Sequence, residues 1–453
     1  MRYPHTPPRW AEAMTSASAK GLIKEFVAFG KAESERNDRY LHWDEFRHRA
    51  SSKSPLSPEE QWAAIRFSRS TRSQQIPLSD SKGRHFTFSV TQRAFEDLHE
   101  IDMHCGGSMA VAGEGALRED TRDRYYVTSI FEEALTSSML EGAVVTRSEA
   151  REMIRNHRPP ANSHERMVMN NYHTMRLLSE WKEQELTPDL ILRIHREITA
   201  GTLDHEADEG RFRRTEDEVR VVDDESGETF HTPPPAEQLA QRIEECCRFA
   251  NERGMHGFLH PVIRSILLHF WVAYDHPFVD GNGRTARALF YWSMLRHGFW
   301  LAEFFSISHE ILKAPKKYYR AFLYTETDEN DLNYFLLHQL TVIKNSIAAL
   351  KEYVGRKQRE LDDMSRLLGP EAGFNHRQLA LLKHAVKHPN ASYTVAGHQT
   401  SHGIAYQTAM NDLAALQRQG LFGRVKSGKA FIFTPAQDLT KLLGKARATP
   451  RER

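Results

Sequence analysis

The sequence predicts a mainly α-helical protein in which one β-hairpin is inserted into a helical bundle and a smaller helix-and-hairpin module follows. From about residue 121 to residue 365, apolar residues recur at helical spacing almost without interruption. Two runs, 263–274 and 286–295, are apolar on nearly all sides, which is typical of helices at the centre of a bundle. Residues 209–235 break this pattern with a strand–turn–strand composition.

Length and composition are those of a soluble globular protein with several domains. The 453 residues, 40% hydrophobic and 27% charged, are too many for one ordinary core and predict about three domains. We expect a helical N-terminal domain over 1–120, a central domain over 121–365 that includes a linker helix, and a C-terminal domain over 366–453.

Cysteine content and apolar stretches predict a cytoplasmic protein. The three cysteines cannot form a disulfide framework, and adjacent Cys246 and Cys247 lack the spacing of a metal site, so we expect a reducing compartment. The first ten residues have no apolar signal core. The most apolar stretch, Phe258–Phe278, contains histidine and charged side chains, which predicts a buried helix and no membrane span.

The N-terminal region gives the weakest signals. Residues 19–33 and 58–69 have helical periodicity, and Pro58 followed by two glutamates suits the first turn of a helix. Polar runs at 51–55 and 79–83 predict loops. We expect this region to pack on the central domain, and its sequence predicts no function.

The hairpin inserted in the central domain is predicted from two short apolar runs around a turn. Val219–Val222 is the first strand candidate, and Thr229–His231 returns after the turn residues 223–227. A hairpin of this length is also a common surface insertion without a role in a binding site.

A single block between the two apolar helices combines a histidine, a carboxylate, two glycines around an amide, and two arginines. It comprises His276, Pro277, Phe278, Val279, Asp280, Gly281, Asn282, Gly283 and Arg284, followed by Arg287. The glycines let backbone N–H groups converge on an anion where the loop enters a helix N-terminus. The two arginines, three residues apart, face the same way on the first turn. The pattern predicts a phosphate-binding loop.

Two other side chains of this block suggest the chemistry. Asp280 is a hard oxygen ligand suited to a magnesium ion that bridges phosphate oxygens. His276 titrates near neutrality and can take a proton from an attacking hydroxyl. The alternative interpretation is a Gly-Asn turn with a capping aspartate between two helices. A bare turn needs neither His276 nor two spaced arginines.

The block resembles the signature of the Fic family, HxFx[D/E]GNGRxxR, and matches it at every specified position. Members of that family mostly transfer AMP from ATP to a hydroxyl side chain of a target protein. The resemblance implies that His276 is the catalytic base, that Asp280 holds Mg²⁺ and that Phe278 is a buried anchor. It further implies that ATP is held by Gly281, Asn282 and Gly283 around its α- and β-phosphates and by Arg284 and Arg287 at its outer phosphates.

The same resemblance gives the inserted hairpin a role. In the Fic family a hairpin at this place, the flap, lies over the active site and aligns the hydroxyl-bearing segment of the target by strand addition. Residues 210–213 before the hairpin and 233–234 after it resemble the usual flanks. We therefore expect a target protein to dock on the 210–235 flap.

A second motif lies earlier in the central domain. Residues 137–142 match [S/T]xxxE[G/N], which Fic proteins use as an autoinhibitory helix. The resemblance implies an ion pair of Glu141 with Arg287 that withdraws this arginine from the γ-phosphate. The alternative is a helix that simply ends at Gly142, with Glu141 solvated. We favour inhibition because the run 131–140 is apolar enough to pack inward.

The last 80 residues differ from the rest in charge. Residues 374–453 contain 12 Lys and Arg against 3 Asp and Glu, a local charge of +9, which leaves −8 for the remainder. A basic module on an acidic body indicates an anionic partner.

The C-terminal module resembles a winged helix. Predicted helices at 377–382, 394–398 and 401–419 precede a hairpin of residues 421–425 and 430–434. Residues 408–413 resemble the recognition helix of bacterial regulators, although Asn411 stands where such helices often have arginine. The side chains available for DNA phosphates are those of Arg418, Arg424, Lys426 and Lys429. The alternative is a module for target docking or for dimerisation, which would give a homodimer.

These patterns predict an enzyme, and they leave two kinds of alternative open: a different reaction at the same site and a regulator that binds DNA. We expect a protein adenylyltransferase, restrained by Glu141, that uses ATP and Mg²⁺ to modify a Ser, Thr or Tyr hydroxyl of a target protein or of itself. Transfer or removal of another phosphate-linked group is one alternative, although phosphorylating relatives typically have a bulky lysine in place of Gly283. Removal of AMP would need Glu141 to position a water. A DNA-binding regulator with a nucleotide-sensing Fic domain is the alternative from another class.

Overall fold

The computed structural model describes residues 2–35, 39–105, 119–223, 227–253, 257–368, 373–427, 430–439 and 442–443. Over these ranges the protein is mainly helical, as the sequence predicts, and its strands form three small sheets. No helix in the described ranges is long and apolar enough to cross a membrane. The three cysteines are free and buried.

The N-terminal segment combines helices with a hairpin. Its elements are α1 (Trp10–Ala19), α2 (Ile23–Glu35), α3 (Trp43–Phe46), α4 (Pro58–Ser70), β1 (Gln74–Ser79), β2 (His85–Phe88) and α5 (Gln92–Cys105). Helix α4 begins where the sequence predicts, because Ser57 and Glu60 form a reciprocal capping box in front of Pro58.

The β1–β2 hairpin makes this segment less purely helical than the sequence predicts. Pro77 interrupts the first strand and the second has four residues, so the alternation is too short to identify from sequence. Apolar side chains of β1, β2 and α5 belong to the main core, whereas α1, α2 and α4 form separate clusters. The domain boundary near residue 120 stays a prediction.

The central helices form a bundle around the main core. They are α6 (Glu119–Leu140), α7 (Arg147–Arg155), α8 (Ser163–Trp181), α9 (Pro188–Thr199), α10 (Leu239–Ala250), α11 (Pro261–Asp275), α12 (Asn282–Arg296), α13 (Ile307–Lys313), α14 (Pro315–Thr327) and α15 (Asn333–Leu368). Phe270 and Trp271 of α11 and Phe290 and Trp292 of α12 are at most 1% exposed. The loop between these two helices is therefore held by a packed core, which fixes its geometry.

The inserted hairpin is present between α9 and α10. Strands β3 (Val221–Val222) and β4 (Thr229–His231) pair antiparallel. β3 begins at Val221, two residues later than predicted, and the chain before it has a left-handed residue at Glu218, φ 31°. The turn at 224–226 lies outside the described residues.

The C-terminal module follows α15. Its elements are α16 (His376–Lys387), β5 (Tyr393–Thr394), α17 (Val395–His402), α18 (Tyr406–Arg418), β6 (Phe422–Ser427) and β7 (Ala430–Pro435). The strands form one sheet in the order β5-β7-β6. The predicted start of the third helix at residue 401 is wrong, because Gly403 (φ 64°) ends α17 after residue 402. The winged-helix assignment stays a prediction, and Lys429 lies outside the described residues.

The C-terminal module packs on the central domain through α17. This helix contacts α6 and α7. The hydroxyl of Thr400 lies 2.8 Å from Nε2 of His157, just beyond the end of α7. Since α6 also contacts α12, it lies between the helix that follows the glycine loop and the C-terminal module.

Candidate active site

His276 ends α11 and begins the glycine loop. Its backbone is in the left-handed region, φ 45°, which turns the chain out of the helix. Its Nδ1 lies 3.2 Å from the carbonyl oxygen of Ala273, so Nδ1 donates and Nε2 is left as the proton acceptor. Burial, together with the nearby His231, lowers the pKa of His276 to about 4. The imidazole is therefore neutral at pH 7 and able to accept a proton.

Asn282 closes the loop from within. Its Oδ1 accepts from the N–H of Phe278 at 2.9 Å, and its Nδ2 donates to the Phe278 carbonyl at 2.8 Å. The ring of Phe278 is fully buried, as the predicted anchor should be. The Asn282 side chain thus shapes the loop, and its contribution to anion binding would come from the backbone N–H on the first turn of α12.

The two glycines of the loop leave space for different neighbours. Gly281 is the N-cap of α12 with φ 79°, and a Cβ there would lie 2.7 Å from Cγ2 of Thr199. Gly283 lies on the helix itself, where a Cβ would overlap the carboxylate of Glu141 and lie 3.1 Å from Nη1 of Arg287. The absence of a side chain at Gly283 therefore makes room for Glu141.

His195 of α9 holds the glycine loop through contacts with Phe278 and Asp280, although no sequence motif identifies it. Its ring stacks on Phe278 with centroids 3.7 Å apart. Its Nε2 donates to the carbonyl of Asp280 at 2.9 Å, and its Nδ1 accepts from the N–H of Gly210 at 3.0 Å. Burial lowers the pKa of His195 to about 4, consistent with one donating and one accepting nitrogen. The only sequence signal is a histidine on the apolar face of a helix.

Arg213 joins the base of the hairpin to the loop. Its backbone N–H donates to the carbonyl of Pro277 and its Nε to the carbonyl of His276, both at 2.8 Å. Its Nη2 donates to the carbonyl of Pro234 on the returning side of the hairpin. Both ends of the hairpin are thus tied to the residue predicted to be the base.

Arg284 and Arg287 are both almost completely buried on α12. Nη2 of Arg284 lies 3.4 Å from Oδ2 of Asp280. Burial lowers the pKa of Arg284, and the carboxylates of Asp280 and Glu141 oppose that effect. Two cations are therefore held at the start of a helix, where the dipole also favours an anion.

Helix α6 engages Nε and Nη2 of the Arg287 guanidinium. The guanidinium donates to the hydroxyl of Ser137 at 2.9 Å, to the carbonyl of Ser137 at 3.0 Å and to Oε1 of Glu141 at 2.9 Å. Burial is the largest single effect and would lower the pKa of Arg287, but Glu141, Tyr318 and Glu133 together raise that pKa. Helix α6 also ends here, as the alternative interpretation predicts: its last residue is Leu140, and Gly142 has a positive φ of 85°.

Glu133, Ser137 and Glu141 form one polar face of α6 at four-residue spacing. The buried carboxylate of Glu133 accepts from the hydroxyl of Tyr291 at 2.9 Å and from that of Ser306 at 2.8 Å. Tyr291 lies one turn after Arg287 on α12, so α6 is fastened to α12 at successive turns.

Asp280 fits a metal that takes most of its ligands from a substrate. Its side chain is 59% exposed at the mouth of the loop. The described residues contain no group of three or more His, Cys, Asp or Glu side chains that could hold a metal ion by themselves. Mg²⁺ usually binds through one or two carboxylates plus phosphates and water, so Asp280 would be its protein ligand here.

Comparison with known proteins assigns this part of the chain to a family. The model of the Fic/DOC family matches residues 185–294, from just before α9 into the end of α12. These residues form a Fic domain. The site residues predicted from the sequence, together with Glu141 from outside the matched segment, are adjacent in the fold, whereas their individual roles stay predictions.

Relatives of the Fic domain have names that refer to an activity. The chain is similar to Protein adenylyltransferase Fic of Nematostella vectensis, 35% identical over 118 residues that cover 26% of this chain and 25% of the relative. It is also similar to Protein adenylyltransferase fic-1 of Caenorhabditis elegans, 29% identical over 189 residues covering 42% and 32%. The chain thus spans a third or less of the length of these relatives.

Comparison with solved structures gives matches with TM-scores just below 0.5. One is a Fic family protein from Desulfovibrio desulfuricans G20, with 16% identity and a TM-score of 0.48, covering 81% of this chain and 99% of that one. Another is a fragment of Fic-1 from C. elegans, with 18% identity and a TM-score of 0.47, covering 79% and 90%.

Proposed function

We propose that the protein is an adenylyltransferase that moves the AMP group of ATP to a hydroxyl side chain of a target protein. The observation that supports this most directly is the state of His276, whose Nδ1 is engaged by Ala273 and whose Nε2 is free at the mouth of the loop. A neutral imidazole beside two buried arginines and the free N–H groups of a helix start is suited to hydroxyl attack on a bound phosphate.

The reaction would proceed as an in-line substitution at the α-phosphorus. Nε2 of His276 takes the hydroxyl proton as the oxygen forms a bond to the α-phosphorus, and the bond to the β-phosphate oxygen breaks to release pyrophosphate. The first-turn N–H groups of α12 and the two arginines bind the phosphate charge. Mg²⁺ at Asp280 would neutralise charge on the phosphate oxygens.

The target would be aligned by the hairpin. Arg213 ties both ends of the hairpin to the His276 region, so a peptide pairing with β3 or β4 would have a defined distance from Nε2. A Ser, Thr or Tyr hydroxyl on such a peptide is the proposed acceptor, and a segment of this same chain would give self-modification.

Glu141 would restrain this activity. Arg287 cannot give a bidentate contact to a γ-phosphate while it donates to Ser137 and Glu141. The carboxylate also stands over Gly283, where it repels an incoming phosphate. ATP bound under these conditions would have its α-phosphorus out of line with His276.

The proposal is tested by labelling with two forms of ATP. The native chain, Glu141→Gly and His276→Ala are incubated with magnesium and ATP labelled at the α- or the γ-phosphate. We expect Glu141→Gly to incorporate the α-label only and His276→Ala to incorporate neither. Incorporation of the γ-label would instead show phosphate transfer and contradict adenylyl transfer.

AMP removal by the same site is a second candidate function. The Glu141 carboxylate is 25% exposed and lies in the site, so it can hold a water beside a bound phosphodiester. Protein carrying labelled AMP would then release it without ATP, and Glu141→Gly would not. Equal release by both proteins would contradict this role.

A further inference from the structure

We propose that a cleft remote from the glycine loop binds a phosphate-bearing metabolite of about nucleotide size, and that its occupancy weakens the hold of Glu141 on Arg287. The cleft lies among α6, α7, α13, α15, α16 and α17, and we call it the α7 cleft. The binding half of this inference is independent of the proposed function, whereas the regulatory half rests on it.

The size of the α7 cleft suits a small organic ligand. Its volume is about 660 Å³, within the range of sites that enclose nucleotide-sized molecules. None of the residues 276–287 lines it, so it is separate from the nucleotide site. His384, Thr400 and Ser401 of the C-terminal module form one of its walls.

The charge of the α7 cleft selects an anion. Arg147, Arg151 and Arg155 stand four residues apart on one face of α7, and Arg356 and Lys357 of α15 also line the cleft. The carboxylates that line it are those of Glu132 and Glu310. Five cations against two carboxylates leave an excess of three positive charges.

Most of the arginines are available to a ligand. Arg147 pairs with Glu132 at 2.8 Å, and Glu310 pairs with Lys313, outside the cleft lining. Within the part of the chain that the structure describes, Arg151, Arg155 and Arg356 have no ion-pair partner. Guanidinium groups bind phosphate through paired N–H donors. Arginines that have no carboxylate partner in the cleft can offer those donors to a phosphate.

Helix α6 connects the α7 cleft to Glu141. Glu132 faces the cleft, and Glu133 beside it is fastened to Tyr291 on α12. Ser306 also lines the cleft and donates to the same Glu133 carboxylate at 2.8 Å. A bound phosphate would compete with Glu132 for Arg147 and repel it, which removes an ion pair between α6 and α7. Because Glu141 ends the same helix, a displaced α6 would release Arg287.

Binding is tested by calorimetry with ADP and with inorganic pyrophosphate as probes. We expect the native chain to have two binding sites, the α7 cleft and the glycine loop. The double variant Arg151→Glu/Arg356→Glu should lower the affinity of the cleft at least tenfold, and Arg287→Ala should weaken binding at the loop. The matched control is Arg248→Glu, an exposed charge reversal on α10 away from the cleft. Arg151→Ala/Arg356→Ala serves if the reversal impairs folding. A single site, or two sites unaffected by the cleft variants, would overturn the proposal.

Coupling is tested without any ligand by breaking the α6–α7 ion pair. Arg147→Ala and Glu132→Gln should each raise α-label incorporation about fivefold in the otherwise native chain and leave Glu141→Gly unchanged, since its arginine is already released. An equal rise in the Glu141→Gly background would contradict coupling through Glu141. If no variant incorporates label, the proposed adenylyltransferase function is contradicted. The calorimetry then still tests whether the α7 cleft binds a phosphate-bearing ligand.

Discussion

The Nη2 atom of Arg287 lies 2.9 Å from Oε1 of Glu141, and this pair joins the end of α6 to the first turns of α12. The carboxylate occupies the space that a Cβ on Gly283 would need. A single contact therefore engages one of two cations at the glycine loop and places a negative charge where a phosphate would approach. That geometry leads to the first prediction.

Glu141→Gly should raise the rate of AMP transfer, and Arg287→Ala should abolish it in both backgrounds. Removing the carboxylate frees the guanidinium, so activity increases although no group is added. A partly buried charged hydrogen bond is worth about 1.5–3 kcal/mol, or on the order of 10- to 100-fold in the competent population. Labelling rates are measured at saturating ATP and magnesium.

Glu141→Gln is the matched control for this competition. It keeps the length and hydrogen-bonding ability of the side chain but removes its charge, so we expect a rate between those of the native chain and Glu141→Gly. If Glu141→Gly labels no faster than the native chain, Glu141 is an ordinary helix-end residue.

The rate of AMP transfer by Glu141→Gly should not fall between neutral pH and about pH 5, the range in which protonation of an ordinary histidine would lower it. The pKa of His276 is lowered to about 4, mainly by burial, so the neutral acceptor form is complete above about pH 5 and is lost as the pH falls through 4. The Glu141 carboxylate raises the pKa of His276, so removing that carboxylate does not bring this pKa closer to neutrality. Rates are measured from pH 4.5 to 8.5 with a buffer of constant ionic strength.

Two checks accompany this profile. His276→Ala should lose on the order of 10²- to 10⁴-fold in rate, as expected for a general base, while retaining ATP affinity. A rate that halves near pH 6.5 would show that His276 titrates at its ordinary pKa and would contradict the buried, neutral imidazole.

His231 should act as a pH-dependent clasp for the hairpin. Its Nδ1 contacts Glu326 at 2.8 Å and its Nε2 contacts the carbonyl of Tyr274 at 2.7 Å, so both nitrogens donate when it is charged. Burial is the largest single effect and would lower the pKa of His231, but Glu326, the Tyr274 carbonyl and Asp275 together raise that pKa. A raised pKa means that the stabilisation is complete below the ordinary value of 6.5 and is lost as the pH rises through the folded-state value.

The measurement is the difference in free energy of unfolding between the native chain and His231→Gln at pH 6 and pH 9. We expect a difference of about 1.5–3 kcal/mol at the lower pH that shrinks at the higher one. Glu326→Gln removes the charged acceptor and should abolish most of that pH dependence. A difference that grows with pH would contradict the clasp.

The sequence predicts the site better where its residues are adjacent than where they meet through folding. His276 to Arg287 form one continuous block, so spacing alone indicates the loop. His195 and Arg213 fix that loop from other elements, and nothing in their local sequence indicates the contact. The Glu141–Arg287 pair spans 146 residues and is predicted only through a family motif.

The fold shows the same limit. Helices with capping signals such as Ser57–Glu60 begin where they are predicted. The two-residue strand β5 is too short to produce a pattern and exists because β7 pairs with it. The break at Gly403 lies inside an otherwise helical run and depends on one positive φ. The packing of α17 against α6 depends on surfaces that are distant in sequence and cannot be predicted from local composition.

If the C-terminal module binds DNA, that binding should depend on exposed cations at the end of α18 and on β6. Arg418, Arg424 and Lys426 are exposed, and Arg424 lies over the ring of Phe431 at 3.5 Å. If each contacts a phosphate, replacing all three with alanine should reduce the salt dependence of log affinity by about 0.9 per contact. Deleting residues from 374 onward should remove this affinity while self-modification stays measurable. Equal binding at low salt by intact and truncated protein would contradict a DNA role.

Gly281→Ala should destabilise the protein more than an equivalent substitution at the other end of the same helix. Gly281 and Gly298 flank α12 with nearly equal positive φ values, 79° and 82°. A Cβ at Gly298 would meet nothing within 4 Å, so alanine there costs only the backbone strain, about 1–2 kcal/mol. At Gly281 the Cβ would lie 2.7 Å from Cγ2 of Thr199 and 3.3 Å from Nε2 of His195, which adds about 1–3 kcal/mol of overpacking.

A third substitution separates the two contributions at Gly281. Thr199→Ser deletes the methyl group that a Cβ at Gly281 would strike and keeps the hydroxyl that donates to the His195 carbonyl at 2.8 Å. In the double variant we expect the overpacking to be relieved and the strain to remain, so its urea midpoint should approach that of Gly298→Ala. Unfolding is followed by fluorescence of the buried Trp271 and Trp292. Equal midpoints for Gly281→Ala with and without Thr199→Ser would show that the methyl contact does not determine the cost, and that the loop yields elsewhere.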